Sequence, residues 1–110
     1  MKLSKDEVKF SPLVDSIVEG MEEVKGQNIT VFNLSEIENS VCDFFVVCDG
    51  TSNTQVNALS DSIEKTVRES LGDKPWHVEG RDNSEWVLLD YVNVVAHVFQ
   101  KSVREFYDLD

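Results

Sequence analysis

The chain has 110 residues, with 10 Lys and Arg against 21 Asp and Glu, so its formal net charge is −11. That length makes one domain with a core under a single sheet, and it is too short for two. So acidic a chain lacks the basic excess that nucleic-acid binding draws on, and anionic membrane surfaces are disfavoured for the same reason.

Residues 1–10 are charged and aperiodic and read as a frayed N-terminal segment, ahead of a domain over residues 11–110. Ser11-Pro12 reads as an N-cap followed by proline at the first helical position, where a missing N–H is harmless. Leu13, Ile17, Met21 and Val24 recur at helical spacing, and Lys25-Gly26 reads as the end of a helix over 12–25 with Gly26 as C-cap. Asn28 to Leu34 is β-branched and aromatic, a first strand, followed by a polar connection over 35–41. Cys42 to Cys48 is a nearly continuous apolar run, as in a strand covered on both faces. Its two cysteines lie outside disulfide reach of each other on one strand, and read as buried, reduced thiols.

Ser52-x-x-Gln55 has capping-box spacing, and Val56, Leu59, Ile63, Val67 and Leu71 form the stripe of a second helix closed by Gly72. Trp76 to Glu79 is a short strand, Gly80 to Asn83 a turn, and Ser84 to Tyr91 with Val94 to Phe99 a hairpin reversing at Val92-Asn93. Ser102 to Asp110 ends the chain as a short helix. The expected fold is therefore α/β, a single domain with a five-stranded mixed sheet and flanking helices.

No apolar run approaches the ~20 residues of a membrane span, and Met1 to Glu7 is too charged for a signal peptide, so a soluble, cytoplasmic protein is expected. Catalytic arrangements find little support. Gly50-Thr51-Ser52 is a strand-to-helix turn, and Ser52, Asp90 and His97 stand in hydrolase order. A second glycine at Thr54 is missing, though, and capping explains Ser52 with local chemistry alone. As a phosphate cradle the turn has one glycine beside a repelling Asp49. Asp108-x-Asp110, the one closely spaced carboxylate pair of its kind, lies at the chain end, and His77 and His97 lack a third ligand. His97 is expected to titrate near neutrality. An enzyme of nucleotidyltransferase or hydrolase type using Gly50-Thr51-Ser52 is the alternative reading; no cofactor, metal or catalytic residue is expected.

Trp86-Val87-Leu88-Leu89-Asp90-Tyr91 is the most informative segment. Alternation puts Trp86, Leu88 and Asp90 on one face and Val87, Leu89 and Tyr91 on the other. Both faces are apolar apart from one carboxylate. Either helices cover both, or one carries a tryptophan-bearing strip of the kind found at interface hot spots.

Here the chain resembles the Iojap-like ribosomal silencing factors, over about residues 11–110. The resemblance rests on Asp43-Phe44-Phe45-Val46-Val47 with Gly50-Thr51-Ser52, on Val78-Glu79-Gly80, on Trp86 to Tyr91, on Val94 to Phe99 and on Arg104 to Asp110, in order and at family spacing. It implies a fold similar to nucleotidyltransferases without their catalytic apparatus, and a homodimer. It also implies binding to ribosomal protein fourteen of the large subunit, which blocks joining of the small subunit and represses translation when nutrients are scarce.

On the matching positions, Trp86 is expected to anchor the partner, with Leu88 and Asp90 beside it and Tyr91 and Glu79 as further contacts. Arg104 and Tyr107 are expected to close the last helix onto the sheet. No sequence-specific nucleic-acid binding is expected. The chain departs from the family at Val92, where a glycine is usual in the reversal, and in ending at Asp110, where the family often continues to another apolar position.

Overall fold

A computed structural model describes residues 2–3, 11–37 and 42–107, the first two and last two of these through their backbone alone. Helix α1 runs from Pro12 to Glu23. It starts as its sequence dictates: Ser11 is extended and its hydroxyl accepts from the Val14 N–H at 3.3 Å. Its end differs from the expected one. Lys25, not Gly26, adopts the left-handed conformation (φ 60°). The Lys25 N–H bonds Glu22 O at 3.0 Å and the Gly26 N–H bonds Met21 O at 2.8 Å, the paired bonds of a Schellman motif. Gly26 is there for space: a Cβ would stand 3.0 Å from Leu59 Cδ2 and 3.3 Å from Cys48 Sγ.

The remaining elements are β2 (Gln27–Asn33), β3 (Phe44–Gly50), α2 (Asn53–Leu71), β4 (His77–Glu79), β5 (Trp86–Asp90), β6 (Val94–Gln100) and α3 (Lys101–Tyr107). Ahead of α1, β1 (Lys2–Leu3) pairs antiparallel with Phe32 and Val31. The five expected strands are all present, and β1 adds a sixth edge that the aperiodic N-terminus did not advertise. Residues 4–10 and 108–110, including Asp108-x-Asp110, lie outside the described residues, as does the side chain of Tyr107.

The strands lie in the order β1-β2-β3-β6-β5-β4. Among them β3 and β6 run parallel, in register from Phe44↔Val94 to Gly50↔Gln100, while the other pairs are antiparallel. The sheet is thus mixed, with two apolar strands at its centre. Helix α2 bridges β3 to the β4–β6 meander and packs with α1 on one face. Gly20 makes that helix pair close, because a Cβ there would lie 2.8 Å from the Ile63 Cα. The Ser62 hydroxyl donates to Gly20 O at 2.7 Å, and the hydroxyls of Ser16 and Ser70 meet at 2.6 Å.

The core lies between these helices and the sheet. Val14, Ile17 and Met21 of α1 and Val56, Leu59, Ile63 and Val67 of α2 meet Val31, Val46, Cys48, Val87, Leu89, Ala96 and Val98. Leu71, expected in the stripe, is exposed at the end of α2. Gly72 caps that helix at φ 67°, as expected. Cys42 precedes β3 rather than lying in it, and both thiols are free and buried.

On the opposite face α3 closes one end. Its Arg104, 4 % exposed, donates to Asn28 O at 2.7 Å, to Asp49 Oδ2 at 3.3 Å and to Thr30 Oγ1 at 3.2 Å. The expected closure by Arg104 is therefore a buried ion pair spanning 55 residues of sequence. Towards β5 and β4 that face is open among the described residues.

Candidate functional site

Pairing decides which expected side chains share a surface. Trp86, Leu88 and Asp90 of β5 stand opposite Phe99, His97 and Val95 of β6, while Leu88 and Asp90 stand opposite Glu79 and His77 of β4. All of these side chains lie on the face away from α1 and α2. Trp86 is 36 % exposed, Leu88 and Asp90 are half-buried, and Glu79 is exposed, with His77 Nε2 3.5 Å from its carboxylate.

Beneath them lies an aromatic floor. The Trp86 and Phe99 rings are 4.7 Å apart, and Phe45 meets His97 edge-on at 4.6 Å. The Trp86 indole N–H donates to His97 Nδ1 at 3.1 Å. That bond puts the neutral imidazole's proton on Nε2, which is buried and has no hydrogen-bond partner among the described residues. Burial without an acidic neighbour pushes the His97 pKa down to about 4, so the ring is neutral at physiological pH rather than titrating near neutrality as its type alone implies. With its donor engaged, what Trp86 exposes is the surface of its ring. Asp90 Oδ1 accepts from the Val92 N–H at 2.7 Å, which orients the carboxylate at the strand end.

Tyr91 falls on the other face. It is 5 % exposed among core side chains, its hydroxyl lacks a partner among the described residues, and burial raises its pKa. Tyr91 thus lies with the core, while Trp86, Leu88, Asp90 and Glu79 share the open face.

At the Gly50-Thr51-Ser52 turn the Ser52 hydroxyl accepts from the Gln55 N–H at 3.1 Å, as a cap should. The reciprocal half of the capping box moves one residue back: Gln55 Oε1 accepts from the Thr51 N–H at 2.7 Å and the Thr51 hydroxyl at 3.0 Å. Gln55 Nε2 donates on to Val24 O at 3.2 Å, tying the turn to the end of α1. The Ser52-Asp90-His97 order does not assemble a triad, because His97 Nδ1 is bonded to Trp86 and Asp90 pairs across to Val95. Among the described residues no three His, Cys, Asp or Glu side chains gather as metal ligands, and no helix is long and apolar enough to cross a membrane. Burial raises both thiols, Cys48 strongly, which keeps them protonated.

Nothing in the sequence marks Phe45, His97 and Phe99 as one floor. Phe45 lies on β3 and His97 and Phe99 on β6, so their grouping becomes legible only once β6 is known to lie between β3 and β5.

The profile of the family described as "Ribosomal silencing factor during starvation" matches residues 7–110. The chain belongs to this family. A silencing factor of Halalkalibacterium halodurans is 33 % identical over 98 residues, covering 89 % of this chain and 82 % of that protein. One from Chromobacterium violaceum is 36 % identical over 93 residues, covering 84 % and 75 %. A crystal structure of a Chromobacterium violaceum protein superposes with a TM-score of 0.84 at 32 % identity, covering 93 % of this chain and 83 % of that one. These silencing factors are named for a regulatory role rather than for catalysis, in keeping with a candidate site made of a surface and not of converging reactive groups.

Proposed function

We propose that this silencing factor binds ribosomal protein fourteen of the large subunit through the open face of its sheet, and so blocks joining of the small subunit and represses translation under nutrient limitation. The observation that carries the reading is the surface itself. A tryptophan stands on an aromatic floor, flanked by Leu88 and by the carboxylates of Asp90 and Glu79. Such a surface suits a protein partner that offers an apolar side chain ringed by Lys or Arg. The net charge of −11 adds long-range attraction to a basic ribosomal protein and repels the surrounding RNA, which favours protein contact over nucleic-acid contact.

No covalent step is needed. A 12.5 kDa body seated on an intersubunit surface excludes the other subunit by volume. The same reading places the protein in the cytoplasm, where subunits join, and takes it as a homodimer.

Sucrose-gradient sedimentation of purified subunits tests it directly. Added protein should co-sediment with large subunits and deplete joined ribosomes, and Trp86→Ala should lose both effects while the domain stays folded. Undiminished subunit joining at saturating protein would refute the reading.

A further inference from the structure

Building on that reading, we propose that the docking face continues around the end of β5 into a corner made by Trp76 and Val92, and that this corner receives an apolar side chain flanked by Lys or Arg from the same ribosomal protein. Trp76 is 80 % exposed and Val92 57 % exposed, the two most exposed large hydrophobic side chains among the described residues. Neither belongs to the core or to the strip that alternation picks out on β5. They are held in place nonetheless: the Trp76 N–H bonds Asp90 O at 2.7 Å, and the Val92 N–H bonds Asp90 Oδ1 at 2.7 Å.

Two clefts flank the pair. One, of about 300 Å³, is lined by Trp76, Asp90, Val92 and Val95; the other, of about 350 Å³, by Trp76, Val92 and Tyr91 with Asp73, Lys74 and Pro75. Asp90 and Val95 also belong to the open face, so the first cleft is a continuation of it. Asp73 and Asp90 outnumber Lys74 here, and Glu79 lies on the adjoining face, so the surroundings favour a cationic neighbour for whatever fills the apolar clefts.

The backbone adds a second observation. Val92 has φ 76°, and the Asn93 N–H bonds Tyr91 O at 3.0 Å, which makes residues 91–93 a γ-turn of the strained, positive-φ kind. A β-branched residue is among the least suited to that position, and glycine would relieve the strain. Glycine would also remove the side chain that lines both clefts. Strain kept where it presents an apolar side chain to solvent is explained by contact made through that side chain. A second copy of this chain fits less well, since pairing would bring Asp73 and Asp90 of two strongly acidic bodies together.

The test uses full-length protein and purified large subunits, with affinity read by titration and stability by thermal melting. Trp76→Ala should weaken binding about tenfold, as an interface aromatic does on truncation, with an unchanged melting temperature. Val92→Gly should weaken binding by several-fold while raising the melting temperature, an opposition that a purely structural residue would not show. Wild-type affinity for both variants, alongside loss of binding by Trp86→Ala, overturns the corner and spares the underlying reading. Wild-type affinity for Trp86→Ala as well overturns that reading and the corner with it. A dimer-to-monomer shift of Trp76→Ala in isolation, or binding of the wild type to phosphatidylglycerol vesicles that Trp76→Ala loses, assigns the corner to another occupant and overturns the proposal.

Discussion

Towards the helices, the central strands present Val46, Ala96 and Val98, and their neighbours add Val31, Val87 and Leu89, all aliphatic and shut from solvent. Towards the other side, the same strands present Phe45, Asp49, Trp86, Asp90, His97 and Phe99. The alternation is equally strict on both, yet the first face is mainly aliphatic beside Phe44, Cys48 and Tyr91, whereas the second sets several aromatics among carboxylates and an imidazole. The helix-covered face needs volume and shape, which aliphatic side chains supply without polar atoms to satisfy. The other face tolerates polar groups because each is held individually: Asp49 by Arg104, Trp86 by His97, Asp90 by the Val92 N–H. The first face is built for stability and, on the proposed function, the second for recognition, except at the α3 end, where an ion pair takes the place of packing.

That exception gives the largest expected effect. Arg104→Met leaves Asp49, 2 % exposed, without its cation and should destabilise the fold by about 4 kcal/mol, the typical cost of orphaning a buried charge. Adding Asp49→Leu should recover much of the loss, because an apolar pair of similar volume often replaces a buried ion pair at little cost. Denaturant melts of the single and double variants decide it. A double variant no more stable than the single would mean that the pair does more than neutralise itself.

Next comes a direct exchange between the faces. Ile63→Ala, in a fully buried site against Gly20, should lower stability by about 3 kcal/mol, and its folded fraction should still bind large subunits. Leu88→Ala should do the reverse, with well under about 1 kcal/mol of stability lost and a measurable loss of binding. If Leu88→Ala unfolds the domain instead, the open face is part of the core and the division fails.

How far this division is visible in the sequence follows from the range of each interaction. The stripes of α1 and α2 and the alternation of β5 are local, and they are readable. So are the Ser11, Ser52 and Gly72 caps. The end of α1 misleads: Gly26 looks like a C-cap, but its bare Cα is needed against Leu59 and Cys48, and the left-handed position falls to Lys25. A turn signal and a packing requirement produce the same residue, and only tertiary structure separates them. The neighbourhood of β3, β6 and β5 is set by long-range pairing, so the Trp86–His97 bond and the Arg104–Asp49 pair are invisible before that order is known. Alternation alone separates Tyr91 from Trp86, and the structure places Tyr91 in the core accordingly.

The neutral His97 makes stability depend on pH in a definite direction. Its folded pKa of about 4 lies below the usual 6.5, so between those values the unfolded chain binds the proton and the folded one does not. Stability should be full above about pH 6.5 and decline as pH falls towards 4, by up to about 3 kcal/mol. Carboxylates titrate in part of the same range, so the measurement is a difference: His97→Phe should flatten the stability profile between pH 7 and 5 relative to the wild type. An unchanged slope would mean that His97 accepts a proton in the folded state and that its pocket is wetter than its burial implies.

The smallest effect bears most closely on what the open face recognises. Trp86→Phe keeps an aromatic plate over Phe99 but removes the N–H that His97 Nδ1 accepts, which should lower stability by about 1 kcal/mol. Because that N–H is spent inside the protein, a partner meets ring surface, and the phenylalanine variant should bind large subunits within about threefold of wild type while Trp86→Ala does not. The two variants thus separate the ring from its polar edge. If phenylalanine fails as completely as alanine, the partner depends on the tilt that the His97 bond imposes on the indole, and His97 acts as the positioning residue of the surface rather than as part of its floor.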